Sequence, residues 1–137
     1  MRGKRNMESK IKSIEIAADW WAKKISNPTG SFSNGTNADF FELMALKTAK
    51  EASSRLSQQQ IANFKEELST AVESEIEKRG LCYLQTDYAP AGKLAEVANN
   101  TDIPRETFPI KTNMRVTKES VEVSDGYRKP YEKIYQK

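Results

Sequence analysis

Apolar residues return along the start of the chain at alternating intervals of four and three, at Met7, Ile11, Ile14, Ala18, Trp21 and Ile25. That spacing predicts a helix from Ser9 to Ile25 with one face committed to packing. Ile16 and Trp20 add a second apolar row, so the helix shows apolar surface on two sides and is either central in the fold or shared with a second subunit. Asn27-Pro28 stops it, because a proline disfavours helix at the residue before it and brings no amide donor. Residues 27 to 37 read as a connector, with Asn34-Gly35 as its turn signal. As a phosphate-cradling loop this segment is poor, because no strand precedes it and no Gly-Lys-Ser/Thr follows.

A second helix is expected from Asn37 as N-cap, with Asp39 in the first turn, to about Ala52. Phe40, Leu43, Met44 and Lys47 line one of its sides and Phe41 covers the neighbouring one. A third begins at Ser57-Gln-Gln-Gln, close to a capping box. Ile61, Phe64, Leu68 and Ala71 repeat the four-and-three stripe, Val72 and Ile76 continue it, and Gly80 ends the helix after Lys78 and Arg79. Leu81 to Gln85 suits a short buried strand, and Pro90 closes the turn after it. Gly92 to Ala98 suits a short helix with Leu94, Val97 and Ala98 inward, ended by Asn99-Asn100-Thr101-Asp102. Lys111 to Thr117 and Val121 to Ser124 alternate around Lys118-Glu119 as a β-hairpin. Met114 and Val116 then face one way, and Lys111, Asn113 and Arg115 the other. The expected fold class is α+β: two to three long helices, then a short strand and a C-terminal β-hairpin, in an oligomer.

A chain of 137 residues is long enough for one domain with a real core and too short for two. Residues 7–137 are expected to form it, with 1–6 a disordered basic arm or a cloning remnant ahead of Met7. The net charge of +3 matches Arg2, Lys4 and Arg5 alone, so the remaining chain is balanced. A phosphate-tracking DNA or RNA binder is therefore not expected. No apolar run approaches the roughly 20 residues of a membrane span and no signal-peptide core follows the basic start, so a cytosolic protein is expected.

Histidine is absent, which removes the commonest general base and transition-metal ligand. Cys82, the one cysteine, lies between Leu81 and Tyr83 and reads as a buried thiol, with no disulfide possible within the chain. Glu66-Glu67 and Glu73, Glu75 and Glu77 sit on a long helix without an acid-base partner and read as a solvated face. Without a catalytic constellation the expectation is no enzyme, no metal and no cofactor.

What remains is a set of turns between 83 and 131: Thr86-Asp87-Tyr88-Ala89-Pro90, Thr107 to Arg115, and Asp125-Gly126-Tyr127-Arg128-Lys129-Pro130-Tyr131. Each puts an aromatic beside proline or glycine with Lys or Arg close by. Charge is uneven in the same sense, with 11 basic and 14 acidic side chains over 7–102 against 8 and 5 over 103–137. Phosphates take Lys and Arg donors and nucleobases take aromatic or guanidinium faces, so the segment suits an anionic, ring-bearing ligand. The same residues also suit the ordinary turns of a small α+β core.

At Trp20-Trp21-Ala22-Lys23-Lys24-Ile25-Ser26-Asn27-Pro28, Asp87-Tyr88-x-Pro90, Phe108-Pro109-Ile110-Lys111-Thr112-x-Met114 and Gly126-Tyr127-x-x-Pro130, the chain resembles the first family of Thoeris anti-defence proteins. The resemblance covers most of residues 11 to 135. It implies a phage-encoded, non-enzymatic sponge in the host cytoplasm that captures a cyclic ADP-ribose-type immune signal or a related cyclic nucleotide. It also implies an α+β homo-oligomer, a dimer or a hexamer. The motif positions that carry over are Asp87, Tyr88, Phe108, Lys111, Met114, Gly126 and Tyr127. Arg115 and Arg128 join them on charge, because a diphosphate needs nearby cations. Where the family pattern has glycine after Tyr88 and after Tyr127, this chain has Ala89 and Arg128, which bears on loop conformation and ligand choice. A different class, an anti-CRISPR-like phage inhibitor that binds a host defence protein directly, needs no pocket at all.

Overall fold

The computed structural model describes residues 11–28, 40–126 and 129–137. The expected arm at 1–6, the helix start at Ser9, most of the connector with the Asn37 cap and Asp39, and Tyr127 and Arg128 lie outside them.

Helix α1 (Lys12–Ser26) ends where the Asn27 amide donates to the Lys23 carbonyl at 2.9 Å, one residue before Pro28. Its stripe is widened by alanines: Ile14, Ala17, Ala18, Trp21, Ala22 and Ile25 are all buried. The second row, Ile16 and Trp20, is partly buried against the same core, and α1 meets α3, the sheet, α2 and a 3₁₀ turn. Within the chain α1 is central: its first row is fully covered and its second, Ile16 and Trp20, is covered in part.

Helix α2 (Phe40–Ser53) packs through Ala49 and Ala52, while Phe40, Leu43 and Met44 stay exposed. Helix α3 (Gln58–Arg79) opens with a complete capping box: the Gln60 amide donates to Ser57 Oγ, and the Ser57 amide donates to Gln60 Oε1, both at 3.0 Å. Phe64, Leu68, Val72 and Ile76 form its buried stripe. Gly80 adopts the left-handed φ of 85° that such a stop requires, and its amide closes on Ile76.

Four strands follow in an antiparallel sheet of order β1-β2-β3-β4: β1 (Leu81–Gln85), β2 (Thr112–Thr117), β3 (Ser120–Asp125) and β4 (Glu132–Gln136). The strand and hairpin expected from alternation are present, and β4 is an addition. Its residues Glu132 to Gln136 show almost no apolar alternation. What makes them a strand is pairing with β3, Val121 opposite Tyr135 and Glu122 opposite Lys133, with a bulge between the two pairs. The inner face carries Cys82, Leu84, Met114, Val116, Val121 and Val123, all buried under α1 and α3. The outer face carries Tyr83, Gln85, Asn113, Arg115 and Glu122.

Between β1 and β2 run α4 (Gly92–Asn100), buried through Leu94, Val97 and Ala98, and the 3₁₀ turn Arg105–Thr107. Phe108 follows the turn into the core, its ring centroid 5.7 Å from that of Phe64 and 6.3 Å from that of Trp21. Among the described residues no helix is long and apolar enough to cross a membrane.

Candidate ligand-binding site

The end of the sheet at Gln85 and Thr112 is tied together by one side chain. Thr86 is buried; its amide donates to the Thr112 carbonyl at 2.8 Å. Its hydroxyl donates to the Pro109 carbonyl at 2.8 Å and accepts from the Thr112 amide at 3.0 Å. Beyond Thr86 the chain doubles back, with the Asp87 amide on Ala89 and the Ala91 amide on Gln85. Lys111 closes the second loop. Its amide donates to the Asp87 carbonyl at 2.7 Å, and its φ is 53°. A left-handed non-glycine residue costs roughly 1–2 kcal/mol, which the surrounding bonds must offset.

Because of that backbone, Lys111 belongs to the turn and not to the alternation of β2. Its ammonium pairs with the Asp87 carboxylate and lies 4.7 Å from the centre of the Tyr88 ring. On the other side, Gly126 leaves β3 with φ 127°, and the Lys129 amide donates back to it. The Ser124 hydroxyl donates to the Lys129 carbonyl, which fixes the return.

A cleft of about 460 Å3 opens between these two turns. Its floor is one row across three strands, Gln85, Asn113 and Ser124, which the register places side by side. Thr86, Asp87 and Lys111 form one wall, Gly126 and Lys129 the other. The volume falls within the range of roughly 300–1,000 Å3 usual for small-molecule sites. Among the described residues lining the cleft, two ammonium groups and two amide side chains offer donors, and Asp87 is the one carboxylate. Such a set suits a polar anion that also carries hydroxyl or amino groups.

The structure brings Asp87, Tyr88 and Lys111 together and separates others expected beside them. Arg115 lies one row further along β2, opposite Tyr83 and Glu122, and does not line the cleft. Its Nε donates to Glu122 Oε1 at 2.9 Å, a second guanidinium nitrogen donates to the same oxygen, and Tyr131 lies 5.1 Å from it. Glu122, with help from Tyr83, holds the Arg115 pKa above its ordinary value. The expectation that Lys111 and Arg115 stand as a matched pair of cations on one strand face is thus corrected: each already has a carboxylate partner.

Phe108 and Met114 are core residues, 4% and 0% exposed. Phe108 has no open face for a base. Its contribution is to seat the turn before Pro109, whose carbonyl holds Thr86. Tyr127 and Arg128 lie outside the described residues, although their neighbours Gly126 and Lys129 line the cleft. Cys82 is a buried thiol as expected, and burial, reinforced by nearby Glu75, pushes its pKa up to about 11. Among the described residues no group of three or more His, Cys, Asp or Glu is placed to hold a metal ion.

Gln85 and Ser124 were not legible as site residues, and Lys129 was read only as one of the cations of the 125–131 turn. Only strand register sets Gln85 and Ser124 beside Asn113, and only the Ser124 bond to Lys129 brings that lysine back. Fold and cleft together define an α+β protein with a small-molecule-sized polar cleft at the end of its sheet. Neither a protein-family model nor a curated protein matches the chain.

Proposed function

We propose that the protein is a non-enzymatic, oligomeric phage anti-defence protein that binds and sequesters a cyclic ADP-ribose-type signal in the host cytoplasm. The observation that carries this reading is the convergence of Lys111 and Lys129 on one polar cleft, within the segment whose motifs resemble the Thoeris anti-defence family. A diphosphate gains charge-assisted hydrogen bonds from Lys129 and from Lys111, whose ammonium it takes in exchange for Asp87, and Gln85, Asn113 and the released Asp87 supply acceptors for ribose hydroxyls. Sequestration needs no chemistry, only an affinity that outcompetes the signal's receptor.

The test is retention and release. The protein is incubated with cyclic ADP-ribose isomers, desalted and heated, and the supernatant is analysed by mass spectrometry. Intact ligand in molar proportion to protein is expected. Hydrolysed ligand would make the protein an enzyme, and no ligand with any isomer would remove the reading. A second reading, an inhibitor that docks on a host defence protein, draws on the exposed Leu43 and Met44 of α2. It predicts no retained ligand and loss of inhibition in Leu43→Ser.

A further inference from the structure

Tyr83 and Tyr131 stay 54% and 44% exposed on the outer face of the sheet, although each carries a large ring and nothing in the cleft's chemistry uses them. They come from different parts of the chain, β1 and the lead into β4, and meet at Arg115 on the strand between. The register sets Tyr83 opposite Arg115, and the guanidinium carbon is 5.1 Å from the Tyr131 ring centre. Arg115 cannot swing freely, because two of its nitrogens are held by one Glu122 oxygen. A planar group is thus fixed at one orientation with its side chain still 39% exposed.

Charge decides what such a surface takes. Arg115 is held by two bonds to Glu122, which leaves the cluster presenting ring and guanidinium faces more than free N–H donors. It offers flat, polarisable faces, on which a heteroaromatic ring stacks. Its position fits the same ligand as the cleft. Arg115 follows Asn113, on the cleft floor, by two residues along β2, a spacing of about 7 Å that a ribose bridges between phosphate and base.

We propose that Tyr83, Arg115 and Tyr131 form the stacking platform for the base of a nucleotide whose phosphates lie in the neighbouring cleft. This rests on the ligand class of the preceding subsection and assigns its ring to residues outside the cleft. Binding is measured by calorimetry for cyclic ADP-ribose, which carries the ring, and for pyrophosphate, which does not. Tyr83→Ala and Tyr131→Ala are expected to weaken cyclic ADP-ribose binding by about tenfold each and to leave pyrophosphate binding unchanged. Tyr83→Phe and Tyr131→Phe, which keep the ring and its packing, are expected to bind both as the parent does. An equal loss for both ligands would show a merely structural role and overturn the platform, as would no loss for either. In both cases the cleft's ligand class would stand. Binding of neither ligand by the parent protein would overturn that class and the platform with it.

Discussion

Lys111 has two separable roles, a backbone one and a side-chain one. Its φ of 53° suits glycine, whereas its ammonium serves the cleft. Lys111→Ala is expected to weaken binding of the cyclic nucleotide at least about tenfold, the loss of one charge-assisted hydrogen bond. Lys111→Gly should show the same loss of affinity yet melt above Lys111→Ala, since the strain of about 1 kcal/mol is relieved. Calorimetric binding and thermal melts on both variants check this. Thr86 is the opposite case, a buried hydroxyl that both donates and accepts across two loops. Thr86→Val keeps the shape and strands the Thr112 amide and the Pro109 carbonyl, for an expected loss of about 1–3 kcal/mol in denaturant unfolding. Cys82 gives a pH prediction. The folded protein holds the thiol neutral to about pH 11, whereas the unfolded chain ionises it near the ordinary 9.0. Above that value the unfolded state has released a proton that the folded state keeps, so stability present below pH 9 is lost as pH rises towards 11. Cys82→Ala should flatten that part of the pH–stability curve.

At the scale of elements, α3 owes its boundaries to its own sequence. Ser57 and Gln60 satisfy amides at one end and Gly80 turns the chain at the other. Ser57→Ala should cost about 0.5–2 kcal/mol. β4 is held by the reverse logic. Its apolar side chains give little, so its stability comes from the ladder to β3 and from Tyr135 against the core. It adjoins Tyr131 and lies at the edge of the sheet, where exchange of backbone amides is expected to be faster than in β2.

For the whole molecule, the core is one continuous cluster in which α1 and α3 pack on each other and on the inner face of the sheet. Leu68, fully buried in that layer, is the place to probe it. Leu68→Ala should cost about 2–5 kcal/mol and lower the midpoint of a single unfolding transition. A sedimentation mass at a multiple of 15.5 kDa is expected, a dimer or a hexamer, and a mass of one chain would remove the oligomeric part of the proposal.

Three features were fixed locally and could be read from the chain: the stripe of α1, the capped α3 and the β2–β3 hairpin. Each depends on neighbours a few residues apart, where periodicity and turn chemistry act directly. Asp87, Tyr88 and Lys111 were legible as candidates for one site, although not in the contacts they make. The partners of those residues were not. Lys111 reads as a strand cation until the bond from its amide to Asp87 forces a left-handed backbone, and Arg115 reads as an available charge until register sets Glu122 beside it. Phe108 looks like a loop aromatic until Trp21 and Phe64, far away in sequence, close over it. β4, the cleft floor and the meeting of Tyr83, Arg115 and Tyr131 all arise from pairing between distant segments. Such contacts leave no local pattern, because their free energy comes from burial and hydrogen bonds that exist only once the strands are side by side.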